Sequence, residues 1–148
     1  MRRKLFSMIA LVGLAVSGPV FGQGLPSAED ASVYFVNIED GASVSSPVKL
    51  IFGLSGMGVA PAGTEKEMTG HHHLLVDRPP LGEGEDGADE FLYSLPADDN
   101  HIHFGGGQTE VTLDLASGTH TLQLVLADMN HVPHSKPIVS EIITITVD

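Results

Sequence analysis

Apolar and polar side chains alternate at period two along much of this chain. In PVKLIFGL (47–54), Val48, Leu50, Phe52 and Leu54 fall on one face and Lys49 on the other. In TEVTLDL (109–115), Val111, Leu113 and Leu115 alternate with Glu110, Thr112 and Asp114. HTLQLVLAD (120–128) sets His120, Leu122, Leu124 and Leu126 against Thr121, Gln123 and Val125. IVSEIITITVD (138–148) sets Ile143, Ile145 and Val147 against Ile142, Thr144 and Thr146. Period two is the signature of a half-buried strand, because successive side chains leave a strand on opposite faces. VYFVNI (33–38) and HHLLVD (72–77) add two short β-rich runs.

The connections are marked as clearly as the strands. SGMGVAPAG (55–63) is Gly/Pro punctuation, and RPPLGEGEDGADE (78–90) reads as a long polar loop without apolar period. ASG (116–118) between the runs at 109–115 and 120–128 predicts a hairpin. No amphipathic helical period of useful length occurs; a short turn of helix around Ala88 to Tyr93 is the exception. About seven short strands without helices predict an all-β fold, an antiparallel immunoglobulin-like β-sandwich over residues 33–148. A cupredoxin-like sandwich is the nearest competitor.

The first 22 residues do not belong to that pattern. Arg2, Arg3 and Lys4 precede an apolar core from Leu5 to Val16, then small and turn-forming residues, the layout of a secretory signal peptide. That core is shorter than the roughly 20 residues a membrane span needs. Cleavage is expected near Gly22, followed by a flexible leader at 23–32, and the product is expected to be periplasmic or secreted. The chain has no cysteine, which excludes a disulfide scaffold and a lipid anchor on cysteine. The formal net charge is −12, and removing the leader peptide leaves four basic against 19 acidic residues, a net −15. Nucleic acid is thereby excluded as an expected partner, since phosphate binding needs basic patches. Acidity serves solubility, and it also concentrates cations.

Cations matter because of where the histidines fall. Of the eight, seven lie in three tight groups: His71, His72 and His73; His101 and His103; His131 and His134. Strand parity lets His71 and His73 share one face and sends His72 to the other with Leu74 and Val76. The same parity puts His101 and His103 together, opposite Ile102 and Phe104. In Asp128-Met129-Asn130-His131-Val132-Pro133-His134 the proline stiffens the backbone that carries two more imidazoles. The candidate metal ligands are therefore His73, His101, His103 and one or both of His131 and His134, with His71 as an alternate. A lone histidine in a β-protein is ordinarily a surface or hydrogen-bonded residue, and His120 is read that way. Imidazole suits copper and zinc among other ions. Met68 and Met129 add a soft alternative for Cu(I), although methionine more often fills gaps in a core.

FGGGQTE (104–110) follows the His-x-His run directly. Its glycines allow a close backbone approach or positive φ, and no Lys-Ser/Thr follows that would make it a phosphate loop. Gln108 and Glu110 are candidates to orient imidazoles.

GHHHLLVD (70–77), LPADDNHIHFGGGQTEVTLDL (95–115), GTHTLQLVLADMNHVPH (118–134) and VSEIITITV (139–147) together resemble an exported bacterial family, domain of unknown function 4399. The resemblance runs from about Val33 to the C-terminus. It implies an exported all-β domain whose hallmark residues are these histidines and glycines, and it implies no activity. Small exported copper-handling β-sandwiches with His and Met ligands make a looser analogy of fold and compartment.

Three functions are open to such a chain. The first is an exported metal-binding protein for copper or zinc. The second is a metal-free binding or interaction module of the cell envelope, with the histidines as a polar network. The third is a mononuclear metalloenzyme with an open coordination position, for which Asp98, Asp99 or Glu110 would be the base. No Gly-x-Ser-x-Gly, HExxH or cysteine nucleophile supports catalysis, so no catalytic residue is assigned.

Overall fold

The computed structural model describes residues 24–85 and 87–148, so the expected signal peptide lies outside the described residues. In chain order the strands are β1 (Ser32–Phe35), β2 (Ser43–Val44), β3 (Val48–Ser55), β4 (Gly58–Val59), β5 (Thr69–Val76), β6 (His101–His103), β7 (Glu110–Leu113), β8 (Gly118–Ala127), β9 (Pro133–Val139) and β10 (Ile143–Val147). The one helical element among the described residues is a 3₁₀ turn at Asp89–Phe91, inside the stretch where the sequence allowed one. The fold is thus the all-β sandwich that the alternation predicts, with more and shorter strands because β2, β4 and β6 are two or three residues each.

Two sheets face each other. One has the order β1-β3-β7 and is antiparallel throughout. The other is built on the antiparallel pair β5–β8, which runs in register from His71 opposite Ala127 to Val76 opposite Leu122. β10 and β9 share the far edge of β8, β6 lies on the outer edge of β5, and the two-residue strands β2 and β4 add parallel pairs to β10 and β5. Leu50 and Phe52 of β3, Leu74 and Val76 of β5, Leu122, Leu124 and Leu126 of β8, and Ile143, Ile145 and Val147 of β10 form the core between the sheets. Each such side chain withdrawn from water stabilises the fold by about 1.5–3 kcal/mol.

The hairpin expected at 109–128 does not form. β7 pairs with β3 in one sheet, and β8 pairs with β5, β9 and β10 in the other, so Ala116–Gly118 is a crossover between layers. Period two reports which face is buried and is blind to the partner strand. Here Val111 and Leu113 approach the core from one side while Leu122 and Leu124 approach it from the other.

A second departure positions the site. The stretch after β5, expected to be a solvated polar loop, covers the outer face of β5 and β8. Leu81 and Leu95 make a small second core there with Leu75, Val125 and Ala127, and Phe91 packs against it. Every residue of β5 is consequently buried.

Candidate metal centre

The three successive imidazoles of β5 are all fully buried, on two faces. His72 turns inward, with its ring centroid 5.3 Å from that of Phe52. His71 and His73 turn outward with Leu75. On the neighbouring strand His103 lies opposite His73, and His101 opposite Leu75. His131 reaches the same place from the turn between β8 and β9. Ring centroids are 5.0 Å apart for His71–His103 and His71–His131, and 4.6 Å for His103–His131.

Within this assembly His71, His103 and His131 each bring one ring nitrogen to within 4.8 Å of the others, so together they can hold a metal ion. Their chemistry fits one. His71 Nδ1 and His103 Nε2 are buried without a hydrogen-bond partner, and an unpaired buried polar atom is costly unless something else satisfies it. Burial, reinforced by His103 and His131, lowers the pKa of His71 to about 4. Burial and His131 also lower that of His103. A depressed imidazole stays neutral at physiological pH, the form that ligates metals.

His73 and His101 stand behind this group as a hydrogen-bonded chain. His73 Nε2 is 3.1 Å from His71 Nε2, and His73 Nδ1 is 3.0 Å from His101 Nε2. Arg78 Nη1 donates to His101 Nδ1 at 3.0 Å. Arg78 is held in turn by an ion pair with Glu90, whose other carboxylate oxygen accepts the Gly82 N–H at 2.9 Å. Burial lowers the pKa of His73 to about 2, helped by the charge of His101 and His71. Burial and then Arg78 lower that of His101 to about 4.

The loop that delivers His131 is organised by Asp128, which is 2 % exposed. Its Oδ1 accepts the N–H groups of Asn130 and Val132, and its Oδ2 accepts that of Leu25 at 3.1 Å. His131 itself adopts φ +66°, and its carbonyl accepts the Leu95 N–H. Residues 24–29, which the sequence assigns to a flexible leader, lie along β9 through Leu25, Ser27 and the Lys136 contact to Glu29.

His134 is not brought to the group. Its two ring nitrogens each lie 3.3 Å from a backbone carbonyl, those of Leu126 and Thr69, which makes it a buried brace between strands. Gln108 and Glu110, candidates to orient imidazoles, bond elsewhere: Gln108 accepts the Gly106 N–H and Glu110 pairs with Lys49. Asp98, a candidate base, accepts the Asn100 N–H. Met68 is 46 % exposed. His120 is the hydrogen-bonded residue expected, set between Asp77 and the Ala116 carbonyl. Of the glycine run, Gly105 is required by the site, since a Cβ there would come within 2.4 Å of the His103 ring.

Arg78, Glu90 and Asp128 are the site-building residues that the sequence reading missed. Asp128 had a signal, because Asp-x-Asn is a turn in which a side chain caps the following N–H groups. Arg78 and Glu90 lie in a stretch with no periodicity and had none.

Fold and site define a class: an all-β sandwich with a buried histidine cluster on the outer face of one sheet. The chain belongs to the family Domain of unknown function (DUF4399), whose model matches residues 50–148 and so spans all the strands that carry the cluster. No curated protein and no solved structure matches the chain. No helix among the described residues is long and apolar enough to cross a membrane.

Proposed function

We propose that this is an exported protein that binds a copper or zinc ion through His71, His103 and His131. The observation that carries the reading is the convergence of three ring nitrogens within 4.8 Å, two of the imidazoles having a buried nitrogen with no other partner. Three neutral imidazoles leave room for a fourth ligand, which a closed storage site would take from the protein and a carrier from water or a partner. Calorimetric titration of the purified apo protein with Zn(II), Cu(II) and Cu(I) tests it. One ion bound more tightly than micromolar, and lost on replacing any of the three histidines, is the expected result; no such binding overturns it.

A second reading has its own observation. The bonds from Arg78 through His101 and His73 to His71 are complete without a metal. The cluster would then be a polar network that orders the face of a metal-free binding module. Thermal stability unchanged by EDTA and by added Zn(II) or Cu(II) would favour this second reading, because a ligand that binds only the native state must raise its stability.

A further inference from the structure

We propose that Arg78 is a positioning residue that sets the direction of the histidine chain and thereby holds His71 closed to metal. The inference rests on the metal reading of His71, His103 and His131. Its first step is the inventory of donors. A guanidinium has N–H donors and no acceptor, so His101 Nδ1, 3.0 Å from Arg78 Nη1, must accept. A neutral imidazole carries one N–H, and His101 therefore carries it on Nε2 and donates to His73 Nδ1. His73 then carries its proton on Nε2 and donates to His71 Nε2. His71 is left with its proton on Nδ1, the atom that has no partner.

Neither nitrogen of His71 then offers a free lone pair. Nδ1 is protonated, and the pair on Nε2 is engaged by His73. Reversing the chain would cure this, since His71 would donate from Nε2 and turn a bare Nδ1 outward. The reversed chain ends with His101 Nδ1–H facing the Arg78 N–H, two donors at hydrogen-bond distance. Arg78 cannot yield by rotating a neutral group, and the ion pair with Glu90, anchored on the Gly82 N–H, keeps it in place. Metal occupancy at His71 thus requires either the His73–His71 bond to break or Arg78 to withdraw.

Nitrogen-15 NMR of the imidazoles in the metal-free full chain reads the tautomers directly. The wild type should show His101 and His73 protonated on Nε2 and His71 on Nδ1. Arg78→Lys, which keeps a donor-only group, should preserve that pattern, whereas Arg78→Met should shift His71 toward Nε2–H. Zn(II) titration of the same samples should show Arg78→Met binding about tenfold more tightly than wild type, the size of one relieved donor conflict, with Arg78→Lys close to wild type. Wild-type His71 protonated on Nε2, or equal Zn(II) affinity in folded wild type and Arg78→Met, overturns the proposal. If Arg78→Met does not fold, the wild-type tautomers decide alone. If no form binds Zn(II), the metal reading fails while the tautomers still decide the direction of the chain.

Discussion

His71 and His131 meet in a T-shaped contact, with ring centroids 5.0 Å apart and planes at 78°, one on β5 and the other in the turn before β9. His103 closes the triangle from β6. Replacing any one of the three by Ala should lower Zn(II) affinity by more than about 100-fold, since even an outer partner of a ligand is worth 10–100-fold. Equal affinities in calorimetry for wild type and His131→Ala would remove His131 from the ligand set.

His134, three residues on in β9, is the matched control. Its ring braces the Leu126 and Thr69 carbonyls from a position 2 % exposed. His134→Ala should therefore cost about 2–4 kcal/mol in urea unfolding, through a cavity and the one hydrogen bond that a neutral imidazole can donate to a carbonyl. Its Zn(II) affinity per folded molecule should stay near wild type. A large loss of affinity with unchanged stability would reverse the two roles.

How far these assignments were legible in the sequence depends on what strand parity encodes. Parity separated His71 and His73 from His72 because β5 is a regular strand, and it found the core faces of β3, β8 and β10 for the same reason. It could not separate His131 from His134. That choice is made by a turn in which Asp128 caps two N–H groups and His131 takes positive φ. Nor could it order residues 78–95, which are held by single polar bonds, such as Gln123 Oε1 to the Leu81 N–H, and by a few apolar contacts. The pairing of β7 was illegible too, because its alternation fits either sheet.

Asp128 ties that turn to the N-terminal segment. Asp128→Ala strands the N–H groups of Asn130, Val132 and Leu25. Hydrogen bonds to a charged group are worth about 1.5–3 kcal/mol each, so a loss of about 3 kcal/mol in stability is expected after partial solvation. Zn(II) affinity should fall with it, since the turn delivers His131. An affinity unchanged in a destabilised variant would show that the ligand does not need the turn.

Acid should unfold the protein from a mild pH. His71, His72 and His101 titrate at about 4 and His73 at about 2 in the folded chain, chiefly because burial disfavours the charged ring. In the unfolded chain each returns to about 6.5. Between those values the unfolded state binds more protons, so stability falls as pH falls below about 6.5, by up to about 1.4 kcal/mol per pH unit for each ring. His120, raised by the Ala116 carbonyl and Asp77, acts in the opposite direction as its folded form gains a proton. Urea unfolding at pH 7.5, 6.5 and 5.5, with chelator present, should show a plateau and then a steep loss. Flat stability across that range would mean that the rings are solvated in the native state.

His72 isolates one part of that effect. Its Nδ1 and Nε2 are buried without a hydrogen bond of good geometry, its ring packs on Phe52, and a weak backbone interaction with Gln108 only partly offsets the lowering of its pKa by burial. Because it faces the core between the sheets, it is separated by the plane of β5 from His71 and His73. Removing a buried polar group that has at most a weak interaction with the Gln108 backbone removes most of its desolvation cost, so His72→Leu, close to it in volume, should stabilise the fold by about 1 kcal/mol at neutral pH. The gain should grow below pH 6.5, since the variant no longer has that ring to protonate on unfolding. Zn(II) affinity should not change. Loss of stability in His72→Leu would mean instead that this imidazole bonds to a group in the core, and loss of Zn(II) affinity would place it with the ligands.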